Sequence, residues 1–180
     1  MKVAATGLDG VKVIEPRVFG DDRGFFLESY NARDFEAAGL SATFVQDNHS
    51  GSRRGVLRGL HYQVEHAQGK LVRVAVGEVY DVVVDLRRSS PTFGRSFGTT
   101  LSAENRRMLW VPPGFAHGFL TTSDFAEFLY KTTDYWYPEH ERTLLWNDPA
   151  LRIDWPDFAT PILTAKDAAG APLEQADVYP

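Results

Sequence analysis

A cluster of arginines and glycines leading up to His61 dominates the stretch Asn48-His49-Ser50-Gly51-Ser52-Arg53-Arg54-Gly55-Val56-Leu57-Arg58-Gly59-Leu60-His61-Tyr62-Gln63. Arg53, Arg54 and Arg58 can hold an anion, because a guanidinium donates two parallel hydrogen bonds to a phosphate or carboxylate. His61 carries an imidazole, the side chain best suited to general acid–base work, and is placed to move a proton on whatever the arginines hold. A lone histidine beside a strand is, however, more often a satisfied structural residue, so its surroundings decide its reading. A second unusual histidine lies in Pro112-Pro113-Gly114-Phe115-Ala116-His117-Gly118-Phe119. Its Pro-x-Gly-x-x-His spacing is that of jelly-roll cupins. A metal-binding cupin also needs a His-x-His pair, and the residue two after His61 is Gln63. His61 and His117 with Glu28 or Glu65 make only an improvised metal set, and no metal is expected.

The elements that must position these residues read mostly as strands. Val11–Ile14 is a short strand closed by Pro16, Phe19–Gly24 a turn, and Phe25–Tyr30 a second strand in which Phe26 and Glu28 share a face. Asn31 stands as N-cap to a helix over Ala32–Ala38 that Gly39 ends. Thr43–Asn48 returns to extended chain. Lys70–Val76 and Val79–Leu86 flank Gly77-Glu78 and read as a hairpin. Further strands fall at 97–101, 107–111, 118–121 and 127–132, and from Pro138 the chain reads as loops with a helical turn or two. Many short strands with one helix predict an all-β sandwich or barrel, in one domain over residues 1–180.

Composition narrows the function classes. The net charge of −5 argues against nonspecific nucleic-acid binding. The deficit is uneven: residues 1–75 carry 10 Lys+Arg against 9 Asp+Glu, so the arginine cluster sits in a near-neutral half suited to a small anion. Cysteine is absent, which removes disulfides, thiolate metal sites and a cysteine nucleophile. No run is apolar enough to span a membrane, and a cytoplasmic protein is expected.

Five blocks, Phe19–Phe26, Leu57–Gln63, Gln68–Arg73, Ser90–Gly94 and Pro113–Phe119, together with the tail Leu145-Trp146-Asn147-Asp148-Pro149, resemble the dTDP-4-dehydrorhamnose 3,5-epimerase family. The match runs in order from about residue 10 to about residue 170. The resemblance implies a cupin-type jelly roll without metal or cofactor, working as a homodimer on a dTDP-4-keto-6-deoxy sugar. The reaction it implies inverts C3 and C5 of dTDP-4-dehydro-6-deoxy-D-glucose, giving dTDP-4-dehydro-L-rhamnose for dTDP-L-rhamnose synthesis. Inversion beside a ketone needs a base, an acid across the ring, and a cation or donor for the enolate oxygen. His61 fits the base.

By similarity, Asp167 backs His61, Tyr130 is the proton donor, and Lys70 steadies the enolate. Read from the residues alone, Asp167 is a helix N-cap, Tyr130 a core aromatic on Phe128's face, and Lys70 an edge lysine. The resemblance also assigns Arg23, Phe26, Glu28, Gln46, Asn48, Arg58, His117, Glu141 and Lys166 to the substrate. Trp136 falls where many members have a tyrosine that stacks on thymine, and an indole can stack as well. On a straight strand Arg58 and His61 point to opposite faces, so Gly59 must allow a bulge or twist if both line one pocket. Two other readings stay open: an epimerase or ketoisomerase acting at one carbon, and a non-catalytic sugar-binding cupin. Val11–Ile14 and Phe25-Phe26 belong either to a strand-exchanged dimer interface or to the monomer core.

Overall fold

The computed structural model describes residues 1–158 and 160–180. Two antiparallel sheets face each other. Six strands form the first, in the order β1 (Lys2–Ala5), β2 (Lys12–Glu15), β10 (Met108–Val111), β7 (Lys70–Val76), β12 (Phe125–Thr132) and β5 (Gln46–Arg53). Five form the second, in the order β13 (Glu141–Thr143), β6 (Leu57–Gln63), β11 (Phe115–Thr121), β8 (Glu78–Asp85) and β9 (Ser96–Ser102). The fold is the expected β-sandwich. A separate hairpin pairs β3 (Val18–Asp21) with β4 (Gly24–Leu27), and among the described residues there are also two short helices, α1 (Ala32–Ala37) and α2 (Ala165–Ala168), and two 3-10 turns.

Alternation along the strands sorts side chains into three apolar layers. Val72, Val74, Val79, Val83, Phe119 and Phe128 meet between the sheets. Their neighbours Leu60, Tyr62, Val82, Val84 and Ala116 point out of the five-stranded sheet, where the tail covers them with Leu144, Leu151, Trp155 and Tyr179. On the far side, Ile14, Leu71 and Met108 are roofed by Phe35 of α1 and by Leu40. The central strands are thus buried on both faces, which is why their sequences run Val-Val-Val rather than alternating with polar residues.

That double burial corrects one expectation. β7 and β8 are not a hairpin: β7 pairs with β10 and β12, β8 with β9 and β11. Gly77 carries the chain across from one sheet to the other with φ +73, and a Cβ there would lie 2.0 Å from the Phe125 carbonyl oxygen. Two strands that each need apolar cover on both faces gain more as centres of opposite sheets than as partners. The expected turn at 19–24 is also shorter. Val18–Asp21 is already strand, with Phe19 opposite Phe26, and the turn is tightened by Asp21 accepting from the Arg23 N–H at 2.9 Å. The second strand ends at Leu27, not Tyr30, whose ring turns to pack edge-on against Phe35 and Phe44. Asn31 stands at the N-cap of α1, but its amide reaches back to the Glu28 carboxylate instead of capping the helix.

Candidate active site

A cavity of about 420 Å³ opens between the two sheets, a size typical of small-molecule sites. The six-stranded sheet lines it with Gln46, Asn48 and Ser50 of β5, Lys70 of β7, and Phe128 and Tyr130 of β12. Arg58 and His61 of β6, His117 of β11 and Glu141 of β13 face them from the five-stranded sheet. Trp136 stands at the rim, and α2 closes one side with Lys166 and Asp167. Any ring held in this space has one sheet above it and one below.

His61 keeps a quarter of its side chain exposed, and its Nε2 lies 2.5 Å from Oδ1 of Asp167, which is buried. The helix N-cap is Thr164, whose hydroxyl accepts from the Asp167 backbone N–H, so the Asp167 carboxylate is left for His61. Burial pushes that carboxyl up, but the hydrogen bond and charge of His61, helped by Lys166, hold it below its ordinary value. An ionised carboxylate at Nε2 fixes the N–H there, leaves the lone pair on Nδ1 and stabilises the imidazolium. This is the arrangement of a proton acceptor.

Lys70 is almost wholly buried, and its Nζ donates to the His61 carbonyl oxygen at 3.3 Å. It is no solvated edge lysine. Burial lowers its pKa to about 8 against the opposing pull of Glu141 and Asp81, so it remains a cation at neutral pH. Tyr130 packs on the core beside Phe128, with their rings 6.1 Å apart, and lines the cavity from the sheet opposite His61. Burial first, then the charge of Glu141, raises its pKa, with Arg58 opposing; its hydroxyl stays protonated.

Sequence reasoning missed Asp81. Its carboxylate is fully buried, with both oxygens at 2.9–3.0 Å from Nε2 of His117. Burial raises its pKa, opposed by His117 and Lys70. His117 pairs in register with His61 across β11 and β6, so two imidazoles, each backed by a carboxylate, stand side by side. The only available signal was a lone acid in the valine-rich run Val79–Val84, on the face of Val79 and Val83. Gln68, His49, Ser50 and Thr164 also line the cavity and were not anticipated.

Arg58 and His61 do share the cavity. The β6–β11 register shifts between His117 and Phe119, and Gly59 has φ +118, so the facing parity changes between the two residues. Arg58 is held by the Ser52 hydroxyl at 2.9 Å and the Gly51 carbonyl at 3.3 Å. Lys166 pairs with Glu141 at 2.9 Å and Gln46 donates to Asn48 at 2.8 Å, so these four form two braced pairs on the wall. The rest of the arginine cluster disperses: Arg54 pairs with Asp124 and Arg53 is exposed. Arg23, Phe26 and Glu28 lie outside the cavity of this chain. Arg23 is 90% exposed, with its guanidinium on Asp21, and Phe26 is two-thirds exposed on the β3–β4 hairpin. Glu65 lies near His140 at 3.8 Å rather than near His61. Among the described residues, no three His, Asp or Glu side chains converge at metal-ligand spacing.

Known proteins resemble the chain over nearly its whole length. The family model described as dTDP-4-dehydrorhamnose 3,5-epimerase matches residues 5–175. The chain is 62% identical to the dTDP-4-dehydrorhamnose 3,5-epimerase of Pseudomonas aeruginosa over the whole of both chains. It is 60% identical to that of Salmonella typhimurium over 98% of this chain and 97% of the other. Among solved structures it superposes with a TM-score of 0.95 on a dTDP-6-deoxy-D-glucose-3,5-epimerase from Legionella pneumophila in complex with dTDP-4-keto-L-rhamnose, at 51% identity and covering 98% of this chain and 94% of that one. A match of this extent, on a two-sheet cavity walled by His61, Lys70, Tyr130 and Asp167, establishes that the chain belongs to the dTDP-4-dehydrorhamnose 3,5-epimerase family.

Proposed function

We infer that the cavity epimerises dTDP-4-dehydro-6-deoxy-D-glucose at C3 and C5 to dTDP-4-dehydro-L-rhamnose, as an isomerase of dTDP-L-rhamnose biosynthesis. The observation that carries the mechanism is the His61–Asp167 pair on one side of the cavity with Tyr130 on the other. His61 removes the proton beside the C4 ketone, and Asp167 stabilises the resulting imidazolium. The Lys70 ammonium takes the charge of the enolate oxygen, an interaction of the kind worth about 3–4 kcal/mol of barrier. Tyr130 returns a proton from the opposite face, which inverts the carbon; His61 then gives its proton to solvent and Tyr130 regains one from it, and the same sequence at the second carbon completes the reaction. No step calls for a cofactor. Arg58, His117, Lys166, Glu141, Gln46 and Asn48 hold the diphosphate and sugar, with Trp136 as the wall for the thymine.

The active form we propose is a homodimer in the cytoplasm. Phe19, Phe25 and Phe26 are 48%, 61% and 66% exposed on one hairpin, a concentration of apolar surface that favours protein contact. Arg23 and Glu28 on or beside that hairpin have no part in their own cavity. Carried to a second copy, they would complete its site with a cation and a carboxylate.

Running the reaction in heavy water tests the proposal. Deuterium should enter the product at both C3 and C5. Label at one carbon would mean a single-carbon epimerase, and absence of label would leave only a binding module.

A further inference from the structure

Trp136 presents a half-exposed ring to the cavity rim, 55% accessible, and must be held there by its backbone. Beneath it lies Gln63, 3% exposed, at the position where a metal-holding cupin would need its second histidine. Gln63 follows His61 by two on β6, so the two side chains leave the strand on the same face. The Gln63 amide does not reach the cavity; the loop after β12 covers it. Its Nε2 donates to the carbonyls of His66 at 2.7 Å and Tyr135 at 3.1 Å, and its Oε1 accepts from the Tyr137 N–H at 2.8 Å. Both donors and one acceptor are therefore used, and two of the three bonds fall on the residues immediately either side of Trp136. Gln46 Oε1 accepts from the Trp136 N–H itself at 3.2 Å.

We propose that Gln63 is a positioning residue for nucleotide affinity: its amide clamps the backbone on both sides of Trp136 and so presents the indole as a preformed wall for the base. The inference rests on Trp136 being that wall. A buried amide of this kind is costly to lose, because Gln63→Leu strands the Tyr135 carbonyl and the Tyr137 N–H without partners. A loop freed from it must order Trp136 anew for each ligand, and the ordering cost appears in affinity. Since Gln63 sits on the strand that also carries His61, the clamp ties the wall to the catalytic strand.

A double-mutant cycle on dTDP binding, read by calorimetry on the full chain, tests the clamp. Gln63→Leu should weaken dTDP by roughly tenfold and raise KM in step, with kcat changed by less than about threefold. In a Trp136→Ala background, the same substitution should alter dTDP affinity by less than about twofold, because there is no indole left to position. Equal losses in both backgrounds, or a fall in kcat at unchanged dTDP affinity, would overturn the proposal. If Trp136→Ala alone leaves dTDP binding untouched, the reading of Trp136 as the wall fails and the clamp falls with it. Should Gln63→Leu not fold, amide exchange in the unsubstituted protein decides: the Tyr137 N–H should exchange slowly without dTDP, and rapid exchange would overturn the clamp.

Discussion

His61 gains its character from Asp167, a residue 106 positions away in the chain. Replacing Asp167 with Asn keeps the shape but removes the charge that favours the imidazolium. Catalysis at saturation should fall by about 10²-fold, within the range of general acid–base effects, as measured by kcat. The same pair carries a stability signature. Because the folded-state pKa of Asp167 is depressed, its stabilisation is present above the unfolded value of 3.8 and is lost as pH falls through the lower folded value. Acid unfolding of Asp167→Asn should accordingly show a shallower loss below about pH 4 than the parent. Lys70 follows the same sign rule in an alkaline window. Its pKa falls from 10.5 to about 8 on burial, so the unfolded chain binds the extra proton between those values and stability rises with pH across that window. On the role proposed for the Lys70 ammonium, activity should decline above about pH 8 while the folded state gains relative to Lys70→Met. Parallel pH–rate and thermal-unfolding profiles check both directions; activity flat through pH 9 would remove Lys70 from the enolate.

At the scale of elements, β6 shows why strand parity matters. Straight alternation would turn Arg58 away from His61, and the irregularity at Gly59 brings them into one cavity. A Cβ at Gly59 would lie 2.7 Å from both the Gly118 Cα and the His117 carbonyl oxygen, at a φ of +118 that side chains rarely adopt. Gly59→Ala should therefore destabilise the protein by more than about 1 kcal/mol in denaturant unfolding. The conflict was legible in the sequence because Arg58 and His61 are three apart, an odd spacing. Central strands such as β7, β8 and β12 were legible from their valine and aromatic runs, whereas β1, β3, β6 and β13 were not read as strands. The partnership of β7 and β8 was not legible, since a two-residue gap looks the same whether the chain turns back or crosses to another sheet. Asp81 escaped for a related reason: an acid within a valine run gives no hint of the imidazole on a neighbouring strand. The nearness of Asp167 to His61 is a long-range contact that no local pattern encodes, and only the family resemblance pointed to it.

For the whole molecule, the arrangement that matters is a ring held between two sheets, with proton-transferring groups contributed from each. The Phe19, Phe25 and Phe26 hairpin extends this logic to a second copy. If the proposed homodimer forms through this hairpin, Phe25→Glu should give a monomer in light scattering, with large loss of activity but little change in the far-ultraviolet spectrum of the sandwich. A monomer with full activity would separate the hairpin from the site. The central claim is that His61 and Tyr130 act on opposite faces of the sugar, and solvent-deuterium exchange measured alongside product stereochemistry tests it most directly. His61→Asn should lose exchange at C3 and C5 together, whereas Tyr130→Phe should still exchange label with retention while inversion fails. Exchange that survives in His61→Asn, or that disappears with inversion in Tyr130→Phe, would contradict the account.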